Sequence, residues 1–269
     1  MMMKTSPPAD PYREIAELYD LEHNDFDDDI DILLNFAQVV GDPILEVGCG
    51  SGRILLPLAE AGFHVTGIDT SRPMLDRADH AMRDAGLSEL ITLYEGDMRE
   101  ADQTPGGPYG LVIFSLNSLM HLTTVEDQIE ALESARRALD PRGQLIIDIL
   151  NPSVAQIGHL LNGPHLEGSW TLEDGSTVDK WSHRRQSSTP QVLDTLLWYD
   201  RVRPDGTFTR IRSEFPLRYI HASELALMLE KAGFIEPIFY GSYDLDPFDN
   251  DADRLLVTAE VLPAPTSHD

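Results

Sequence analysis

The sequence contains little of what several classes of protein depend on. Its one cysteine, Cys49, excludes an intrachain disulfide and any zinc site built from several cysteines. It has no run of about 18 or more apolar residues, so it lacks a segment that would cross a membrane as a helix. Basic residues are scarce as well: 20 of them, only three being lysine, face 46 acidic residues. The net charge of −26 repels phosphate backbones, which argues against nucleic acid as a partner.

Targeting and metal-binding signals are also missing. The first residues, MMMKTSPPADP, lack the apolar centre of a signal peptide. Two acidic stretches have spacings close to those of a calcium loop, but neither has the glycine that the sixth position of such a loop needs. We therefore expect a soluble, cytoplasmic protein that has no membrane partner and binds no metal.

Strand-like and helix-like segments alternate over the first half of the chain. The strand-like runs are PILEV, FHVTGID, ITLYEG, GLVIFSL and QLIIDIL, and helical runs lie between them. Alternation with short connections predicts a parallel sheet covered by helices on both faces. Runs as continuously apolar as LIIDIL are typical of the central strands of such a sheet.

The character of the sequence changes after the fifth of these strands. Asp174-Gly175 and Asp205-Gly206 are typical of hairpin turns, and they separate runs rich in Trp, Tyr, Val and Thr. These runs predict an inserted antiparallel β cap, after which FIEPIFYG and RLLVTAEV supply two last strands of the main sheet. The predicted domains are a main domain at 1–150 and 221–262, the inserted cap at 151–220, and a loose tail at 263–269.

The first strand runs into a glycine-rich loop, in the sequence ILEVGCGSGRI. The strand ends on Glu46, and Gly48, Gly50 and Gly52 follow at every second position. Glycine permits positive φ and has no Cβ, so this spacing indicates a backbone that passes close to a ligand. The loop lies between a strand and a helix, at the sheet edge where open α/β folds bind ligands.

Carboxylates at neighbouring strand ends narrow the choice of ligand. Asp69 ends the second strand, where it can accept hydrogen bonds from both hydroxyls of a ribose. Asp97 follows the third strand and, with the backbone N–H of Met98, can contact an adenine. With Glu46 they make three anions, and no phosphate-binding GxxxxGK[ST] loop is present. A nucleoside that carries a cationic centre suits these charges, and S-adenosylmethionine has a ribose, an adenine and a positive sulfonium.

In this order, ILEVGCGSGRILLPLAEAGFHVTGIDTSRPML, YEGDM and LDPRGQLIIDI resemble the class I S-adenosylmethionine-dependent methyltransferase family. The resemblance covers about residues 12–150 and the last strands. It implies a doubly wound α/β fold with a seven-stranded, mostly parallel sheet in the order 3-2-1-4-5-7-6. Here the inserted antiparallel β subdomain follows the fifth strand, as it does in amino-sugar N,N-dimethyltransferases of the small-molecule branch.

The resemblance also implies which residues bind the cofactor. The glycines would wrap its methionine part above Glu46, while Asp69 would hold the ribose. Phe114 and its neighbours would line the methyl-transfer end. The complete set of predicted cofactor-binding residues is Glu46, Gly48, Cys49, Gly50, Gly52, Asp69, Thr70, Met74, Asp97, Met98, Ser115 and Asn117.

Two further residues are candidates for catalysis. His121, in SLNSLMHL after the fourth strand, is predicted to lie over the reactive end of the cofactor, where a neutral imidazole can take a proton near pH 7. Tyr19 belongs to a helix, YREIAELYDLEH, which resembles the element that closes over the cofactor in small-molecule methyltransferases; Tyr12 is the weaker candidate. Arg184 and Arg185 are either surface residues or ligands of an anionic acceptor such as a nucleotide-linked sugar.

We therefore predict methyl transfer from S-adenosylmethionine to nitrogen or oxygen of a small molecule. The Asn/Asp-Pro-Pro-aromatic sequence of methyltransferases that act on nucleic-acid bases is absent. Two alternatives stay open at this point: an NAD-dependent oxidoreductase, which shares the loop and Asp69 but leaves Asp97 unexplained, and a catalytically silent methyltransferase-like binding module. A homodimer that pairs through the inserted strands is the assembly we expect.

Overall fold

A computed structural model describes residues 10–23 and 26–261 of the chain. The strands form two sheets, one of seven strands and one of four. The strands are β1 Ile44–Val47, β2 Val65–Asp69, β3 Ile91–Glu95, β4 Tyr109–Phe114, β5 Leu139–Leu150, β6 His165–Thr171, β7 Thr177–Gln186, β8 Val192–Val202, β9 Phe208–Arg218, β10 Phe234–Tyr240 and β11 Arg254–Val261. The helices are α1 Ala16–His23, α2 Ile30–Val40, α3 Leu55–Glu60, α4 Arg72–Asp84, α5 Val125–Ala138, α6 Val154–Leu160 and α7 Ala222–Ala232.

The seven-stranded sheet has the order β3-β2-β1-β4-β5-β11-β10. Strands β1 to β5 pair in parallel, whereas β11 runs antiparallel to both β5 and β10. This is the predicted 3-2-1-4-5-7-6 order with one reversed strand, so the predicted fold class is confirmed. The carboxyl ends of β1, β2, β3 and β4 consequently meet at one edge of the sheet.

Helices cover both faces of this sheet. Every residue of β1 and β4 is buried, which explains why these runs are apolar without alternation. Along β4, Leu111 packs with α2, α3 and α4, whereas the next residue, Val112, packs with α5 and α7. Successive side chains of a strand point to opposite faces, so the sheet separates two apolar layers.

The four-stranded sheet has the order β6-β7-β8-β9 and is antiparallel throughout. Two of its three hairpins turn at Gly175 and Gly206, which have φ of +78° and +83°. The short helix α6, which leads into this sheet, was not predicted. None of its residues is buried, so it lacks the apolar periodicity by which a helix is recognised in a sequence.

Helix α1 lies against the four-stranded sheet. Ile15 and Leu18 pack with Val178, Leu197 and Tyr199 in a small apolar cluster of their own. Within residues 10–23 and 26–261, the helices are too short or too polar to cross a membrane. The N-terminal segment thus contacts the cap through apolar side chains, and its polar contacts to the main sheet are described with the site.

Candidate active site

The glycine loop after β1 has the backbone that the sequence predicts. Gly48, Gly50 and Gly52 have φ of +78°, +54° and +87°, a region that strongly favours glycine. A Cβ on Gly48 would lie 2.7 Å from Cβ of Ser118, and one on Gly52 would lie 3.1 Å from Cβ of Ala78. The sequence argument attributed the missing side chains to a nearby ligand, whereas the crowding seen here comes from protein atoms.

Four other predicted cofactor residues differ in how exposed they are. Cys49 is buried, and its burial raises the pKa of the thiol, which fits a packing role. Met74 is buried at the start of α4, and its methyl group lies beside Gly50. Thr70 is exposed next to Asp69, and Met98 packs partly against the core.

Glu46 lies beneath the loop, and only one of its two carboxylate oxygens makes a hydrogen bond. The residue is 2% exposed, and its Oε1 accepts a hydrogen bond of 2.8 Å from Oγ of Ser115. Its Oε2 is buried without a partner. Burial raises the pKa of Glu46 to about 8. A buried acceptor without a donor is costly, so this oxygen is suited to a cationic donor such as the ammonium group of a methionine moiety.

Asp69 is oriented by backbone amides. Its Oδ2 accepts from the Gly50 N–H at 2.9 Å, and its Oδ1 accepts from the Ser71 N–H at 2.8 Å. A carboxylate has about four acceptor positions, so one position on each oxygen remains for the hydroxyls of a ribose. Burial raises the pKa of Asp69, and the two amides oppose this by favouring the charged form.

Asp97 is at the expected strand end but in a different environment. Both of its oxygens accept from the guanidinium of Arg99, at 2.9 Å and 2.7 Å, and Arg99 also pairs with Asp127. The hydrogen bonds from Arg99 lower the pKa of Asp97. The sequence reasoning missed Arg99, although its place two residues after Asp97 was a visible signal.

The residues predicted at the methyl-transfer end make structural bonds. Oγ of Ser115 donates to Glu46, and Oδ1 of Asn117 accepts from the Leu150 N–H at 2.7 Å. Phe114 is wholly buried in the core. Ser118, which was not predicted, has a buried hydroxyl without a partner.

Ser118 begins the 3-10 turn Ser118–His121. Residues three apart in such a turn lie on the same side, so Ser118 and His121 share a face. Gln128 on α5 is wholly buried and braces this turn: its amide donates to the Leu122 carbonyl at 2.8 Å, and its carbonyl accepts from Arg218 at 2.8 Å. Through these two hydrogen bonds, Gln128 connects the turn to the end of β9.

His121 belongs to a cluster of aromatic side chains. Its Nε2 lies 3.0 Å from the Tyr12 hydroxyl, and its ring centre lies 5.3 Å from that of Phe215 on β9. Burial lowers the pKa of His121 to about 4, so the imidazole is neutral at pH 7. Tyr12, the weaker candidate from the sequence, makes the hydrogen bond to His121. Tyr19 instead packs edge-on against Tyr12 and stacks on His23.

Polar contacts hold the N-terminal segment over the site. Asp20 accepts from Oγ of Ser51 in the glycine loop at 2.6 Å and pairs with Arg77 on α4. Glu22 pairs with Lys180 on β7. The segment therefore contacts the glycine loop on one side and the four-stranded sheet on the other.

The described residues fit S-adenosylmethionine in the chemistry of their donors and acceptors. Glu46 has a free buried oxygen for a cation, and Asp69 has free acceptor positions for a ribose. The part of the chain that the structure describes has no group of three or more His, Cys, Asp or Glu side chains that could hold a metal ion.

Comparisons with known proteins find methyltransferases. A family model described as "Methyltransferase domain" matches residues 44–143. The chain is 33% identical over 222 residues to a cypemycin N-terminal methyltransferase from a Streptomyces species. This match covers 82% of this chain and 83% of that protein. It is 40% identical over 106 residues to the putative methyltransferase YqeM of Bacillus subtilis (strain 168), where the match spans 39% of this chain and 41% of the relative.

Solved structures resemble the chain over almost its whole length. The sugar N-methyltransferase KedS8 from Streptoalloteichus sp ATCC 53650 superposes with a TM-score of 0.72, covering 97% of this chain and 98% of that one. The two sequences are 20% identical, so this likeness concerns the fold alone.

Proposed function

The chain belongs to the family of S-adenosylmethionine-dependent methyltransferases, and we propose that it methylates an amine nitrogen of a small molecule. When bound, the cofactor supplies an electrophilic methyl group on a sulfonium. Glu46 and Asp69 would hold its ammonium and ribose, with Asp97 and Met98 beside the adenine. The family membership excludes the alternative of an NAD-dependent oxidoreductase and establishes the chain as an enzyme.

The buried pair of His121 and Tyr12 is the observation that favours nitrogen over oxygen. An imidazole whose pKa is about 4 is a weak base, so it is poorly suited to removing the proton of an alcohol. A neutral amine already has a lone pair for the new N–C bond, which would form as the bond between the methyl carbon and sulfur breaks. It needs no base beforehand, because the proton can leave the product ammonium for solvent afterwards. Burial disfavours the ammonium form of an amine as it disfavours the protonated imidazole, so the same surroundings select the reactive form.

In this proposal His121 and Tyr12 orient the acceptor. Either side chain of the 3.0 Å pair can exchange its hydrogen bond for one with an N–H of the amine. Phe215 packs on both rings and fixes them, with ring centres 5.7 Å and 5.3 Å away. Closure of the N-terminal segment, held by Asp20, would keep water from the amine while it reacts.

Paired acceptors test the choice of nitrogen. The protein is incubated with labelled S-adenosylmethionine and with amines and alcohols of the same skeleton, such as an amino sugar and its parent sugar. We expect label only on the amines, at a rate that rises with pH above 7 as each amine loses its proton. Methyl ethers as the main products would contradict the proposal.

A histidine variant tests the role of His121. His121→Asn should lower kcat about tenfold, the effect of one lost hydrogen bond of ~1.4 kcal/mol, and leave the cofactor Kd unchanged. His221→Asn, at the start of α7, is the matched control and should be silent. If the wild type instead showed a rate that depends on a base with a pKa near 6.5, and His121→Asn removed that dependence, His121 would be a general base rather than an orienting group.

Three statements about the surroundings of the enzyme stay predictions. They are the cytoplasmic location, the pairing of two copies through the cap strands, and the absence of a nucleic-acid partner. The solvent-facing side of the cap supports the second one, because the rings of Trp181 and Trp198 stack there with centres 6.1 Å apart and Leu166 is 52% exposed.

A further inference from the structure

One face of the cap lies next to His121, where the acceptor is proposed to bind. We call it the inner face: it carries Lys180, Ser182 and Arg184 of β7, Thr195, Leu197 and Tyr199 of β8, and Ser213 and Phe215 of β9. Resting on the proposed function, we infer that the amine acceptor is a polar small molecule without a phosphate group, bound between His121 and this inner face.

The strand register connects His121 to the inner face. Arg184 pairs with Thr195 across β7 and β8, and Thr195 pairs with Phe215 across β8 and β9. Neighbouring strands lie about 4.8 Å apart, so Thr195 lies one strand spacing from Phe215, and Arg184 lies two strand spacings from it. Phe215 packs on His121, which makes Arg184 the cation that a phosphate on the acceptor would meet in this row.

Two hydroxyls on the inner face have no partner. Oγ1 of Thr195 and the hydroxyl of Tyr199 are both buried without a hydrogen bond, on residues that are 3% and 0% exposed. The hydroxyl of Ser118, on the same face of the 3-10 turn as His121, is also buried without a partner. Unsatisfied buried hydroxyls are costly. Tyr199 packs against Ile15 and Leu18 of the N-terminal segment, so Thr195 and Ser118 are the positions suited to an acceptor that itself carries hydroxyl or amide groups.

The cations around the site are already paired with carboxylates. Arg184 lies 3.3 Å from Glu167, which also accepts from Ser182. The neighbouring pairs in the described chain are Lys180 with Glu22, Arg77 with Asp20, Arg53 with Asp29, and Arg99 with Asp97. Each pair is formally neutral, so none of these cations is available to a phosphate without losing its present partner.

The carboxylates are in surplus by comparison. Within residues 10–23 and 26–261, Asp10 and Asp69 form no ion pair, and both accept hydrogen bonds from Ser71 just before α4. Arg185 does not compensate, because successive side chains of a strand point to opposite faces and it is exposed on the other side of the cap. The site therefore disfavours a phosphorylated acceptor.

Binding of uridine diphosphate, measured by calorimetry with S-adenosylhomocysteine present, tests this inference without turnover. The wild-type enzyme should not bind the probe at millimolar concentration. Glu167→Gln frees Arg184 and should raise the affinity for the probe at least tenfold. Asp200→Asn is the matched control, because it frees Arg210 on the outer side of the cap and should add no binding at the site.

A second arm compares an amino sugar with its uridine-diphosphate form as acceptors. We expect kcat/KM to be at least tenfold higher for the free sugar. Micromolar binding of uridine diphosphate to the wild type that Arg184→Gln abolishes, or a preference for the nucleotide-linked sugar, would overturn the inference. Failure of every amine would count against the proposed function instead, while the binding measurements would still decide on the phosphate.

Discussion

The seven-stranded sheet contributes residues at its strand ends to the site, whereas the four-stranded sheet contributes residues from the middle of one face. At the strand ends, Glu46 and Asp69 are oriented by atoms close by in the loops, such as the amides of Gly50 and Ser71. On the cap, the position of Phe215 depends on the register of the strands and on contacts with the N-terminal segment.

This difference separates the cofactor, which a family shares, from the acceptor, which an individual enzyme selects. Loop backbone and strand-end carboxylates can recognise one cofactor in many chains, because their geometry depends on few residues. Side chains on the face of a strand can change one at a time without disturbing the ladder of backbone hydrogen bonds. We therefore expect the cofactor to depend on the main sheet and the acceptor on the cap.

Among the variants that test this division, Asp69→Ala should have the largest effect on cofactor binding. It removes the acceptor of two charge-assisted hydrogen bonds to the ribose, about 1.5 kcal/mol each, so the Kd of S-adenosylmethionine should rise roughly 100-fold. Calorimetry measures the change directly. Phe215→Leu is the control on the cap and should leave that Kd within about threefold. Unchanged binding by Asp69→Ala would refute the ribose role.

The same division explains how much the sequence revealed. The strand-like runs, two of the hairpin turns and the glycine loop were predicted because each leaves a local pattern: an apolar run, a turn dipeptide or a glycine spacing. The strand order and the reversed strand were implied by the family resemblance. Asp69 was predicted as a strand-end carboxylate, and the structure finds it with free acceptor positions. Local patterns suffice for elements whose geometry is set within a few residues.

The remaining features of the site depend on partners far away in the chain. Tyr12 meets His121 across 109 positions, and Gln128 meets Arg218 across 90. Neither pair has a spacing that a periodicity can reveal. The sequence therefore favoured Tyr19 over Tyr12, and it gave no sign that Gln128 braces the turn that carries His121.

A smaller effect is expected from Asp97→Asn, which sharpens the contrast between two carboxylates of the same sheet edge. Arg99 already occupies both oxygens of Asp97, so less of its hydrogen-bonding capacity is left for an adenine than Asp69 has for a ribose. We expect the Kd of S-adenosylmethionine to rise about fivefold, or ~1 kcal/mol. A loss as large as that of Asp69→Asn, measured beside it, would show that the two strand ends contribute equally.

The smallest effect concerns the proton on Glu46. Burial raises its pKa from 4.5 to about 8, so the carboxyl is mostly protonated at pH 7 in the free enzyme. An ammonium at Oε2 favours the charged form and lowers this pKa, so cofactor binding at pH 7 should release about one proton. Calorimetry in two buffers of different ionisation enthalpy measures the release.

The stability of the free enzyme should follow from the same raised pKa. The stabilisation that comes with the protonated form is fully present below pH 4.5 and is lost as the pH rises through about 8. Glu46→Gln should abolish both the proton release and this loss, whereas Glu60→Gln, at the exposed end of α3, should change neither. Proton release that persists in Glu46→Gln would mean that another group of the site titrates on binding.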